Sequence, residues 1–163
     1  MTDEATIKAA HGLLDRLRTH GLMLATAESC TGGLIAAALT AIAGSSDVLD
    51  CGFVTYSNAA KIRMLGVPAA LIAAEGAVSE AVAKAMAEGA LTHSAADFAV
   101  SVTGIAGPGG GSAAKPVGLV YTGCARRNGT ITVQRHLFGG DRSAIRQKSV
   151  LACFSQIQAA LLP

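Results

Sequence analysis

Apolar residues recur at Ile7, Ala10, Leu14 and Leu17, the spacing of one helix face, and Gly21 follows as a stop signal. Leu22 to Thr26 is a short apolar run without that period, suited to a buried strand. The same alternation continues. After Gly33 an Ala-, Leu- and Ile-rich helix is predicted to about Ala43, and Gly44 to Asp47 reads as a turn. Cys51 to Tyr56 is predicted as a second strand and Asn58 to Leu65 as a short helix closed by Gly66, while Pro68 suits the first position of another helical turn. Ser79 is the natural N-cap of a helix reaching about Ser94, with Glu80 complementing its dipole. Phe98 to Thr103 is a third strand, and Gly104 to Pro116 a long Gly-rich loop. Val117 to Arg126 and Thr130 to Phe138 are expected to form a hairpin across Asn128-Gly129, a type I′ turn dipeptide. Gly139-Gly140-Asp141-Arg142 leads into a last helix to about Leu161.

Strands alternating with helices predict an α/β fold whose sheet is covered on both faces, and the hairpin makes one strand antiparallel, so the sheet is mixed. Ligands in such sheets sit outside the carboxyl ends of the parallel strands. Three loops leave predicted strand ends: Glu28–Gly33, Ser57–Lys61 and Gly104–Pro116. No repeat, linker or low-complexity break divides the 163 residues, a length that suits one domain over 1–163.

Composition narrows the class. There are 33 Ala and 19 Gly, the aromatic share is 4%, and Trp is absent. Glycine without a period of three excludes collagen, and an apolar share of 51% excludes disorder. The longest uncharged apolar-rich stretch, Leu34 to Ala43, is far short of the roughly 20 residues that cross a bilayer. No signal peptide is readable at the N-terminus, so a cytoplasmic protein without a membrane partner is expected. Cys30, Cys51, Cys124 and Cys153 form no CxxC pair and are expected as free thiols. The histidines show neither i, i+4 pairing nor an H-E-x-x-H motif, so no metal is expected.

The net charge of +2 conceals an asymmetry: residues 1–100 hold 6 Lys/Arg against 10 Asp/Glu, whereas residues 101–163 hold 7 against Asp141 alone. A basic third can meet a nucleic-acid backbone, a membrane surface or a phosphorylated small molecule, and the shortage of aromatic residues disfavours nucleic acid.

Several residues carry candidate chemistry. Ser29 sits at a strand-to-helix junction, where unpaired backbone N–H groups can hold an oxyanion and Gly32 and Gly33 permit close approach. Ser29 or Thr31 serves equally as a plain N-cap, and the loop is not a G-x-S-x-G elbow because position 27 is Ala. Cys30 is a competing nucleophile, or a small buried residue. Tyr56 and Lys61 can point into one cleft, where a lysine of lowered pKa can act as base to a serine; taken alone they read rather as a half-buried Tyr and an exposed Lys. The Gly-rich loop matches neither a P-loop nor G-x-G-x-x-G. Arg142, at a helix start, can clamp a phosphate.

In order along the chain, Ala27-Glu28-Ser29-Cys30-Thr31-Gly32-Gly33, Gly44-Ser45-Ser46, Gly52 to Asn58 with Lys61, Leu65-Gly66-Val67, Gly76-Ala77-Val78-Ser79, Ser101 to Gly111, Lys115 to Gly118 and Gly140-Asp141-Arg142 resemble the CinA C-terminal domain family. These are the nicotinamide-nucleotide amidohydrolases once labelled competence/damage-inducible proteins. The resemblance covers about residues 5–161. The larger members carry an additional N-terminal domain, so this chain is similar to the stand-alone form. It departs from the pattern at Gly109-Gly110, where an acidic residue is common.

The resemblance implies a three-layer α/β/α sandwich, usually dimeric, that deamidates nicotinamide mononucleotide to nicotinic acid mononucleotide and ammonia in pyridine nucleotide recycling. It implies Ser29 as nucleophile, Lys61 as base and Tyr56 as third member. Thr31, Gly32, Gly33, Asn58, Thr103, Gly104 and Arg142 are expected around the substrate, with N–H groups near Gly32 and Gly33 holding the oxyanion. No metal or organic cofactor is expected. A non-catalytic nucleotide-binding module is the alternative that the same Gly-rich loops support.

Overall fold

The protein is described here by a computed structural model covering residues 3–161. Its elements are α1 (Glu4–Thr19), β1 (Leu24–Glu28), α2 (Leu34–Thr40), β2 (Leu49–Val54), α3 (Asn58–Leu65), α4 (Ala69–Glu75), α5 (Glu80–Thr92), β3 (Phe98–Gly104), β4 (Leu119–Arg126), β5 (Ile131–Leu137) and α6 (Arg142–Ala160). A 3₁₀ turn at Ser45–Asp47 precedes β2. The sheet order is β2-β1-β3-β4-β5. β1 is parallel to both β2 and β3, while β4 is antiparallel to β3 and to β5. One strand of five therefore runs against the rest, as the hairpin predicts.

The strands alternate their side chains between two apolar clusters, because successive residues point to opposite faces. Leu24, Phe98, Val100, Val102, Val120 and Cys124 pack with α1, α2 and α6. Ala25, Ala27, Ala99 and Ala125 pack on the other face with Leu65, Val82, Met86 and Ala90. Large residues face one side and alanines the other, which brings α5 close to the sheet, with α3 packed on α5. Four of the six helices begin at side-chain caps. Asp3 accepts from Thr6 N, Ser57 from Ala60 N, Ser79 from Val82 N and Asp141 from Ala144 N.

Several boundaries differ from the sequence expectation. α2 ends at Thr40 and not near Ala43, and β4 starts at Leu119 and not Val117. Three more differ for reasons the contacts show. Leu22 is not in β1. Its N–H closes the end of α1 onto Leu17 O at 3.0 Å, with Gly21 N–H on Arg18 O and Gly21 at φ 64°, a Schellman motif that uses Leu22 as its last residue. β2 lies two residues earlier than expected, so Thr55 and Tyr56 lie beyond its end. The hairpin is not closed by a two-residue type I′ turn, which needs positive φ at both central residues. Arg126 N–H pairs with Thr130 O, leaving a three-residue connection in which Asn128 has φ 56° and Gly129 a negative φ. Arg127 draws the chain outward, its N–H on Asp97 O and its guanidinium on the carbonyls of Leu91, Ser94 and Ala96.

One glycine fixes the distance between the helix that carries Lys61 and its neighbour. A Cβ on Gly89 of α5 would run into the carbonyl of Leu65 at the end of α3. Gly89→Ala is therefore expected to cost about 3 kcal/mol through overpacking, despite the better helix propensity of Ala, and to lower Tm by roughly 6–12 °C. Thermal unfolding by circular dichroism checks this; an unchanged Tm would mean that the two helices separate freely.

Candidate active site

β1 ends at Glu28, and the chain turns through Ser29–Gly33 into α2. Glu28 is fully buried. Its carboxylate accepts from Thr31 Oγ1 at 2.6 Å, from the N–H groups of Gly33 and Ile35 at 3.0 and 3.1 Å, and from Ala36 N–H at 3.0 Å. A helix start leaves such N–H groups unpaired, and a carboxylate there is favoured by the dipole as well. The turn before it is tight. Gly32 N–H donates to Ser29 O at 3.0 Å, with Gly32 at φ 60° and Gly33 at φ 101°. The glycines thus serve the turn itself. The N–H groups of Gly32 and Gly33 themselves are already used, one by Ser29 O and the other by Glu28.

Ser29 leaves this turn facing α3. Its own N–H is fixed on Val102 O of β3 at 3.0 Å. Ser57 caps α3, which places Lys61 on the first turn of that helix with its side chain directed inward; the residue is 1% exposed. Lys61 Nζ donates to Ser29 Oγ at 3.0 Å and to Thr55 O at 2.8 Å. No carboxylate lies within ion-pair distance of it among the described residues. Burial without a counter-charge disfavours the ammonium and lowers the pKa of Lys61 from 10.5. Thr55 O can only accept, so an amine that has lost its proton keeps one N–H there and turns its lone pair toward the Ser29 hydroxyl.

Cys30 lies beside Ser29 but does not compete with it. Burial pushes its thiol up to about 11, which keeps it protonated near neutral pH.

A cleft of about 220 Å³ opens over these groups. Seven of the expected site residues line it: Ser29, Tyr56, Asn58, Lys61, Thr103, Gly104 and Arg142. Thr31, Gly32 and Gly33 do not. Thr31 is fully buried with its hydroxyl on Glu28, because the turn folds it beneath α2 rather than toward the cleft. Tyr56 is 60% exposed, and its hydroxyl accepts from Arg142 Nη2 at 2.9 Å, not from Lys61. Arg142 Nη1 also donates to Gly107 O at 2.8 Å, so this guanidinium ties the Gly-rich loop to the end of β2. Thr103 Oγ1 donates to Ala77 O at 2.8 Å and holds the α4–α5 connection at the cleft edge.

Sequence reasoning assigned no role to three groups at this site. Glu28 could have been suspected as an acidic residue just before a helix start. The Thr55 carbonyl has no sequence signal. Arg146, one turn into α6, donates from Nε to Cys30 O at 3.1 Å and from Nη2 to Thr31 O at 2.8 Å, a contact across 115 residues that no local pattern announces.

The CinA C-terminal domain pattern matches residues 6–161. The chain belongs to this family. It is 54% identical over 145 residues to the nicotinamide-nucleotide amidohydrolase PncC of Enterobacter agglomerans, covering 89% of this chain and 87% of that one. A CinA-like protein of Anaeromyxobacter dehalogenans is 51% identical over 146 residues, which are 90% of this chain but 36% of the relative, so the chain spans about a third of its length. Among solved structures, the competence/damage inducible protein CihA from Agrobacterium tumefaciens superposes with a TM-score of 0.95 at 49% identity, covering 98% and 97% of the two chains. This CinA-domain chain therefore shares both fold and sequence with relatives over nearly its whole described length.

Removing the Glu28 carboxylate strands three N–H groups and one hydroxyl in the interior. Glu28→Ala is expected to destabilise the protein by about 3 kcal/mol or more, since each buried orphan costs about 1–3 kcal/mol. Urea unfolding checks it, and a loss below about 1 kcal/mol would show that the α2 start does not depend on this residue.

Proposed function

We propose that this chain hydrolyses the carboxamide of nicotinamide mononucleotide to nicotinic acid mononucleotide and ammonia, with Ser29 as nucleophile. The observation that carries the reading is the buried contact between Lys61 Nζ and Ser29 Oγ at 3.0 Å. A serine hydroxyl is a weak nucleophile until a base takes its proton, and a lysine of lowered pKa, without a counter-charge, is such a base. The high identity to a named nicotinamide-nucleotide amidohydrolase along almost its full length supports the substrate.

In this mechanism neutral Lys61 takes the hydroxyl proton while Ser29 Oγ forms a bond to the amide carbon. The tetrahedral oxyanion collapses, the C–N bond breaks, and the proton on Lys61 passes to the departing nitrogen, releasing ammonia. Water then attacks the ester with Lys61 again as base, and Ser29 recovers its proton. Arg142, already aimed into the cleft, meets the phosphate, and the basic balance beyond residue 100 favours the same anion. Tyr56 acts through Arg142, holding the guanidinium at the cleft rim. Asn58, Thr103 and Gly104 are substrate contacts along the walls. The reaction as written uses no metal or organic cofactor. The same reading takes residues 1–163 as one catalytic domain, active in the cytoplasm as a homodimer.

Ammonia release from nicotinamide mononucleotide tests the assignment. Ser29→Ala and Lys61→Ala are each expected to lose at least about 10³-fold in kcat with folding intact. A Ser29→Ala variant with near-normal release overturns it, and binding of the mononucleotide without ammonia from the wild type favours the nucleotide-binding module instead. Activity abolished by a chelator and restored by a divalent ion would overturn the metal-free scheme.

The pH profile gives a separate check. The active form carries neutral Lys61, so activity rises with pH as that proton leaves. Burial lowers the pKa, which moves the rising limb below 10.5. A limb centred at or above the ordinary lysine range would remove Lys61 as the base.

A further inference from the structure

One wall of the cleft has no backbone ladder to hold it. Ala77 and Val78 line the cleft from the connection between α4 and α5. Among the described residues, no backbone–backbone hydrogen bond reaches the carbonyls of Glu75, Gly76 and Ala77 or the N–H groups of Ala77, Val78 and Ser79. Three side chains take the three carbonyls instead. Lys115 Nζ donates to Glu75 O, Ser79 Oγ to Gly76 O at 2.9 Å and Thr103 Oγ1 to Ala77 O at 2.8 Å. We infer that Lys115 is a positioning residue: by holding Glu75 O it sets the Ala77–Val78 wall, and with it the affinity for substrate rather than the rate of the chemical step. The inference rests on this cleft being the substrate site, as proposed above.

The three ties are not equivalent. Ser79 belongs to the segment itself and caps α5 through Val82 N–H, so it moves with the wall. Thr103 ties one carbonyl to β3. Lys115 reaches the segment across 40 residues, from the far end of the Gly-rich loop. That end is itself fixed: Lys115 N–H donates to Ser112 Oγ at 3.0 Å, and Ser112 N–H to Lys115 O at 2.8 Å. The near end of the same loop is held by Arg142 on Gly107 O. Of these hydrogen bonds, only that of Thr103 would still anchor the wall if the Lys115 amine were removed.

The chemistry suits a cation at this point. Glu75 O is an orphan carbonyl at the C-terminus of α4, where positive charge is favoured, and a charged donor makes the stronger hydrogen bond. Gly76 follows at φ 78°, and a Cβ there would lie 2.7 Å from Lys115 Nζ, so the amine sits hard against the backbone that it holds. Glu75 and Glu80 share a groove with Lys115, yet among the described residues no carboxylate lies within ion-pair distance of it. Lys115 does not line the cleft, so it acts through the wall and not on the substrate. Ala77 and Val78, with Ala106, give the cleft an apolar side suited to the flat ring of a pyridine amide.

The test compares Lys115→Met and Lys115→Arg with the wild type by ammonia release from nicotinamide mononucleotide and by amide hydrogen exchange. Lys115→Met is expected to raise KM about tenfold, because a wall that must be ordered on binding costs about one charge-assisted hydrogen bond. kcat should stay within about threefold and the rising pH limb should not move, since Ser29 and Lys61 are untouched. In the Ser29→Ala background, affinity for the mononucleotide should fall by the same factor when Lys115→Met is added. Exchange should quicken at the N–H groups of Ala77, Val78 and Ser79 and stay as it is in β1 and β3. Lys115→Arg, which keeps a charged donor, should recover most of the affinity. A KM within about twofold of wild type in Lys115→Met overturns the assignment, as does a kcat loss as large as the KM gain. Unchanged exchange at the wall, or Lys115→Arg no better than Lys115→Met, overturns it as well. Failure of both variants to fold makes Lys115 structural and overturns it too. If instead Ser29→Ala retains activity, the serine reading itself has failed while the exchange measurement still decides on Lys115, and the two failures are told apart.

Discussion

The protein buries an amine without giving it a carboxylate. Lys61 is 1% exposed and, among the described residues, is received by a hydroxyl and a backbone carbonyl, Ser29 Oγ and Thr55 O. Ordinary structural lysines avoid this arrangement, because removing an ammonium from water without a counter-charge costs several kcal/mol. The surroundings accommodate it in two ways. The lowered pKa allows the amine to be neutral, and the Thr55 carbonyl, just past the end of β2, holds it in either state. Much else follows from keeping that contact. α3 must start at Ser57, Gly89 must let the end of α3 approach α5, and β1 must end where Ser29 turns to face α3.

The turn around Ser29 shows how one short segment meets several demands. Its glycines first suggested space for a ligand, but they serve the backbone: positive φ at Gly32 and Gly33 turns the chain sharply enough for Glu28 to reach the start of α2. The acid that fills this helix start excludes the neighbouring N–H groups from catalysis. Earlier in the turn, Arg146 grips the carbonyls of Cys30 and Thr31 and so fixes the peptides that follow Ser29. Chemistry and stability are thereby separated within five residues: Glu28 serves the helix, and Ser29 faces the cleft.

The elements themselves were largely legible along the chain. The α3 bounds, the cap at Ser79 and the strand–helix alternation follow from local chemistry: capping side chains, left-handed glycines and apolar periodicity act within a few residues. Errors arose where a residue had two local roles. Leu22 looks like the start of a strand but completes the cap of α1, and Asn128-Gly129 looks like a two-residue turn but lies in a three-residue one, because Arg127 is tied to the α5–β3 connection. Tyr56 and Lys61 line one cleft, yet their hydroxyl and amine take different partners.

By itself the sequence determined the α/β class, the mixed sheet, the three loops at the strand ends and the family, because each is encoded in short spacings and ordered motifs. Only the tertiary structure decided that Lys61 is buried against Ser29, that Glu28 uses up the start of α2, that Tyr56 pairs with Arg142 and that Arg146 grips the Ser29 turn. Except for the Glu28 contacts, which reach at most 8 residues along the chain, those facts depend on distances between segments 32 to 116 residues apart. Burial and hydrogen-bond direction exist only once the sheet has brought the segments together, and the pKa of a lysine is set by that environment and not by its neighbours in the chain.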